Sequence, residues 1–114
     1  MFVPDVHRRP DRTLNALADP TRRAILRRLS SGERRVTEVA APFGMSLNAV
    51  SKHILVLERA KLVKRRKVGR DHFLSYRPEQ LDAAAKWIAE TRNFWASRLD
   101  ALEQLLRDED AANR

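Results

Sequence analysis

Ser46, Asn48, Ser51 and Lys52 fall within one short stretch of the chain, and each carries a hydrogen-bonding group on a short or flexible stem. An Asn side chain can pair with the two-point edge of adenine, Ser can bond a base or a phosphate, and Lys reaches guanine or phosphate. Ala49, among them, has the small apolar surface that fits a thymine methyl group. This is the chemistry of recognition, and it works only if a rigid element presents the side chains together.

The surrounding residues supply that element. Leu47, Val50, Ile54 and Leu57 recur at spacings of three and four, so they form one face of a helix and leave Asn48, Ser51 and Lys52 on the other. The helix should run from about Leu47 to Ala60 with Ser46 as its N-cap and Leu47 as a core residue. Ahead of it, Thr37 is expected to cap a shorter helix that ends near Pro42, and Gly44 makes the turn. Two helices joined in this way, with polar side chains exposed at the start of the second, are shaped to enter the DNA major groove.

The chain continues through Leu62–Lys67 and Asp71–Arg77, two strand-like runs joined by Val68-Gly69-Arg70-Asp71, where Gly69 can supply a positive φ. This predicted hairpin carries Lys64, Arg65, Arg66, Lys67 and Arg70. Strand alternation sends Lys64 and Arg66 to one face and Arg65 and Lys67 to the other. Lys64 and Arg66 are the candidate phosphate contacts. Arg70, at the tip, is placed to enter a minor groove, where negative potential is focused. A helix–turn–helix followed by such a hairpin is a winged helix.

Upstream, Thr13–Ala18 should form a short helix, and Asp19-Pro20 reads as N-cap and first residue of a second, whose Ile25, Leu26 and Leu29 face the core. Glu33–Val36 is short enough for an edge strand. The net charge of +8 is unevenly placed: residues 61–77 hold 7 Lys/Arg against 1 Asp/Glu, whereas residues 78–114 hold 5 against 8. A localised basic region points to a polyanion.

Pro78 opens a last helix, with no Gly or internal Pro from Glu79 to about Asp108, roughly 45 Å at about 1.5 Å per residue. Leu81, Ile88, Phe94, Trp95, Leu99 and Leu102 lie on its apolar stripe. One small domain cannot cover a stripe that long, so the same helix of a second subunit is the expected partner; folding back over the chain's own winged helix is the alternative. Trp and Phe on the stripe suit an interface, and packing there outweighs a small-molecule pocket.

Other chemistries find little support. Without cysteine there are no disulfides or thiolate metal sites. The three His residues, His7, His53 and His72, belong to different elements, and no metal site is expected. No nucleophile–base grouping or Gly-rich phosphate loop is present, so neither catalysis nor a cofactor is expected. No stretch approaches the roughly 20 apolar residues of a membrane span, which implies a soluble cytoplasmic protein without a membrane partner.

Taken together, Ala18-Asp19-Pro20-Thr21-Arg22-Arg23-Ala24-Ile25-Leu26, the run Met45–Glu58, Ala60-Lys61-Leu62-Val63 and Gly69-Arg70 resemble the ArsR-type winged-helix repressors. Phe94-Trp95-Ala96-Ser97-Arg98-Leu99-Asp100-Ala101-Leu102 is similar to the branch of that family without metal sites. The resemblance spans about residues 12–106. It implies a homodimeric repressor that binds an inverted repeat in double-stranded DNA, often in its own promoter. Three positions depart from the pattern: Lys61 stands where relatives usually carry Gly, Leu55 where a basic residue is common, and Leu47, before Asn48, reads as an ordinary core residue.

The sequence therefore predicts a mainly α protein with a small β-hairpin wing, in the order α1-α2-β1-α3-α4-β2-β3-α5. It divides into an N-terminal segment (1–11, expected flexible), a winged helix–turn–helix domain (12–77) and a long C-terminal dimerisation helix (78–110). A non-specific architectural DNA-binding protein is the first rival reading. An interaction module whose last helix docks another protein is the second, and a repressor relieved by an organic ligand is a variant of the main reading. The sequence identifies no effector.

Overall fold

Two capping devices set the frame of the domain in a computed structural model that describes residues 10–113. The first is Asp19, whose Oδ1 accepts the amide N–H groups of Thr21 at 2.8 Å and Arg22 at 3.2 Å. With Pro20 in the first turn, this starts α2 (Pro20–Leu29) directly behind α1 (Asp11–Leu17). Desolvation pushes the Asp19 carboxyl up, but those two amides, with His53 and Arg22 beside it, prevail and hold it below its ordinary value.

The second device ends α4 (Leu47–Arg59). The Leu62 N–H donates to the Leu57 carbonyl and the Lys61 N–H to the Glu58 carbonyl, both at 3.0 Å. This is a Schellman closure. It requires a left-handed residue, and Lys61 takes that role at φ 59°. Leu57 and Leu62, the apolar pair that accompanies such a closure, are both fully buried.

Between these helices lie β1 (Arg34–Arg35), α3 (Val36–Ala40) and a single 3₁₀ turn over Ala41–Phe43 that ends at Gly44, φ 58°. Thr37 does not cap α3. The helix starts two residues earlier, with Arg35 in the cap position and no side-chain cap bond, because the chain leaves β1 already paired and turns at once. After α4, β2 (Val63–Val68) and β3 (Asp71–Tyr76) form the wing, with Val68 opposite Asp71. The sheet is antiparallel in the order β1-β3-β2. Gly69 has φ 60° and Arg70 does not share it, the pattern of a two-residue type II′ turn.

The core gathers one apolar set from each element: Ala16, Ile25, Leu29, Val39, Val50, Ile54, Leu57, Leu62 and Leu74 are all fully or almost fully buried. Helix α5 (Glu79–Ala112) joins it by its N-terminal half, along which Trp87, Thr91 and Phe94 are half-buried. Ala84 is buried and Leu81 packs partly against the domain, whereas every residue from Trp95 to Asn113 is exposed. The helix does not fold back over its own domain, and the molecule measures 77 × 28 × 22 Å. The element order is the one expected from the sequence. The expectation for residues 1–11 falls mainly outside the described residues.

Candidate nucleic-acid interface

Helix α4 is held from both sides, which fixes the direction of its outer face. On one flank His53 Nδ1 lies 3.8 Å from Asp19 Oδ1 and 3.4 Å from Arg22 Nη1, tying α4 to the start of α2. On the other, Arg65 of β2 donates to Glu58 Oε1 through Nη2 at 2.6 Å and Nε at 3.2 Å. Arg65 Nη1 also lies 2.8 Å from His72 Nδ1. His53 and Arg65 are thereby engaged in holding the helix.

The outer face carries Asn48 and Lys52, both exposed and without a side-chain hydrogen bond or ion pair to any described residue. Ser51 and Ala49 are half-buried beside them. Ser46 is exposed, and its Oγ accepts the Ala49 amide N–H at 3.1 Å. Its lone pair therefore starts the helix, while its hydroxyl hydrogen can still be donated outward. The structure thus brings together all five residues that the sequence singled out on this element.

Leu47 is a correction. The apolar spacing put it in the core, but it is 52% exposed. It is the first residue of the helix, one turn ahead of Val50, where the buried set begins. Leu55, 43% exposed, also lies outside the core.

The wing separates its cations into paired and unpaired. Arg66 Nη2 lies 2.6 Å from Glu33 Oε1, and the guanidinium sits 4.8 Å from the centroid of Phe73. That hydrogen bond holds the Glu33 carboxyl below its ordinary value and raises Arg66 above its own. Lys64, Lys67 and Arg70 are exposed and form no ion pair with any described residue. Register explains the division: Arg66, Phe73 and Arg35 form one row across the sheet, opposite the face on which Leu74 is buried. Lys67 shares the Val63–Arg65 face, which looks toward α4, and was passed over at the sequence level. The apolar Val63, two and four residues before Arg65 and Lys67, is the sequence signal that marks that face.

A cleft of about 250 Å³ runs between α4 and the wing, lined among others by Leu47, Ser51, Arg65, Arg70 and His72. It joins the helix face to the hairpin tip in one continuous, mainly cationic surface. Among the described residues no three His, Cys, Asp or Glu side chains come together as a metal cage. No helix there is long and apolar enough to cross a membrane.

A surface of this geometry has close counterparts. The model of a helix-turn-helix domain family matches residues 17–66. The crystal structure of an ArsR family transcriptional regulator superposes with a TM-score of 0.76 at 38% identity, covering 83% of this chain and 98% of that one. The HTH-type transcriptional regulator Rv2034 of Mycobacterium tuberculosis is 39% identical over 103 residues, 90% of this chain and 94% of its own. The chain belongs to the ArsR family of winged helix–turn–helix transcriptional regulators. A further ArsR-type neighbour, a Mycobacterium bovis domain, is described as a homodimeric winged helix-turn-helix DNA-binding domain. It matches at 30% identity with a TM-score of 0.57, over 78% of this chain and 80% of its own. As an ArsR-family member this protein is a DNA-binding transcriptional regulator, the function expected from Asn48, Lys52 and the basic hairpin.

Proposed function

We propose that the protein is a homodimeric repressor that binds an inverted-repeat operator and blocks transcription by occupying the promoter. The observation that carries this reading is the exposed, uncommitted pair Asn48 and Lys52 on a helix clamped at both flanks. A rigid helix with free amide and ammonium groups on its outer face can read bases in the major groove. Ser46, Ala49 and Ser51 complete the base-reading set. Lys64 and Arg70 contribute charge toward phosphate and minor groove, and Arg66 contributes less because Glu33 neutralises it.

The proposed division of labour follows the chain. Residues 12–77 bind DNA, and the helix from residue 78 to about 110 joins two subunits through Ile88, Phe94, Trp95, Leu99 and Leu102. Leu81 extends that seam where it leaves the domain. The homodimer described for the Mycobacterium bovis neighbour supports this assembly. In this reading the protein is not an enzyme, needs no metal or cofactor, and acts in the cytoplasm on chromosomal DNA.

Selection of bound sequences from random duplexes tests it. A palindrome should emerge, and Asn48→Ala should lower affinity for that site by about 1–3 kcal/mol per subunit while barely changing affinity for scrambled DNA. If Asn48→Ala weakens both alike, the architectural reading holds instead.

A further inference from the structure

We infer that Leu47 reads the 5-methyl group of a thymine, making one T·A pair per half-site part of the sequence this regulator selects. The inference rests on the reading of α4 as the helix that enters the major groove. Leu47 is the first residue of α4, and 52% of its surface is exposed. It directly precedes Asn48 and stands one turn before Ser51, so it lies at the N-terminal edge of the face that carries these two polar readers.

Its surroundings decide what it can bind. The cleft it lines carries Arg70, which forms no ion pair with a described residue, Arg35 and Arg65, which pair with Asp71 and Glu58, the hydroxyl-bearing Thr37 and Ser51, and Val36. Such walls draw a polyanion, yet an isobutyl group gains nothing from a phosphate or a sugar hydroxyl. Among the unmodified base edges in the major groove, the hydrocarbon on offer is the thymine methyl group. The N-terminal residues of a recognition helix are also those that reach base edges. Leu55 supplies the contrast: it is exposed to a similar degree, but it sits roughly 12 Å farther along the axis at about 1.5 Å per residue.

Uracil tests the inference without touching the protein, because it removes the methyl group and keeps the hydrogen-bonding edge. In the selected site, each thymine is replaced by uracil in turn and binding is titrated. At one thymine per half-site, wild-type affinity should fall roughly fourfold, the equivalent of about 0.8 kcal/mol for one buried carbon. Leu47→Ala should bind the thymine and uracil duplexes alike at that position. Leu47→Met, which keeps the hydrocarbon, should retain the discrimination, as should Leu55→Ala. Unchanged thermal unfolding of Leu47→Ala establishes that the fold is intact, and the Met variant carries the comparison if it is not. The inference is overturned if no uracil position affects the wild type, or if the penalty persists in Leu47→Ala, which would assign the methyl contact to Ala49. Failure to select any sequence would instead overturn the reading of α4 as a base reader, and this inference with it.

Discussion

Arg65 and Glu58 meet at 2.6 Å and join the first strand of the wing to the last turn of the recognition helix. Both side chains are about one-quarter exposed, and Arg65 reaches His72 as well. A contact at that depth constrains geometry more than an exposed ion pair does, because breaking it strands a partly desolvated charge. Glu58→Gln should therefore loosen the angle between wing and helix although Glu58 is remote from the outer face of α4. Affinity should fall several-fold on operator and scrambled DNA together, and the double variant Glu58→Gln/Arg65→Gln should lose less than the two single losses combined. Additive losses in that cycle would show that the pair does not position the wing.

Arg66 and Arg70 differ in what surrounds them, and the difference should be visible in salt titrations. Arg66 is neutralised by Glu33, whereas Arg70 stands at the hairpin tip with no ion pair among the described residues. Arg70→Ala should weaken binding to all sequences and reduce the salt slope by about one per subunit. Arg66→Ala should change the slope less. Glu33→Gln should act in the opposite direction, freeing the Arg66 charge and raising affinity for non-specific DNA. Equal slopes for Arg66→Ala and Arg70→Ala would mean that DNA displaces Glu33 from Arg66.

Lys61 occupies a left-handed conformation that its neighbours impose, with the Leu62 and Lys61 amides both bonded back into α4. A side chain at positive φ costs on the order of 1 kcal/mol, which glycine avoids. Lys61→Gly should raise unfolding stability by up to about 0.5 kcal/mol after the added freedom of the unfolded chain is subtracted. That corresponds to a melting rise of at most about 2–4 °C for a domain of this size. A melting temperature that does not rise would show that the closure relaxes around lysine.

The contrast between Leu47 and Lys61 shows what the sequence could and could not disclose. Two of the three expected caps were legible because they are local: Asp19-Pro20 and Ser46 act on amides two or three residues away. Thr37 is displaced by the strand pairing just ahead of it. The order of elements and the Gly69 turn followed from periodicity and from a single conformational requirement. Lys61, which takes the left-handed conformation, was marked in the sequence only as a departure from glycine. Burial of Leu47 was misjudged because a helical wheel has no ends, and the first residue of a helix can project past the core that covers the next turn. The Glu33–Arg66 pair was out of reach, since its partners are 33 residues apart and meet only through sheet geometry. Charge counting therefore treated Arg66 as free.

The last helix offers the most direct test of assembly. Trp95, Leu99, Leu102 and Leu106 are each more than half exposed, on the half of the helix beyond the half-buried Trp87, Thr91 and Phe94. A row of large apolar side chains left in water in this way is the kind of surface that a partner covers. Sedimentation at micromolar concentration should give twice the chain mass of 13.2 kDa. Leu99→Glu and Trp95→Glu place charge in the proposed seam and should yield monomers whose helical signal falls while the winged domain still unfolds cooperatively. Leu81→Glu should behave differently. Leu81 packs against the domain core, so charge there should lower the stability of the fold itself by about 2–4 kcal/mol. A monomeric wild type, or a Leu99→Glu variant that remains dimeric with full helicity, would sink the proposal that this helix joins the subunits.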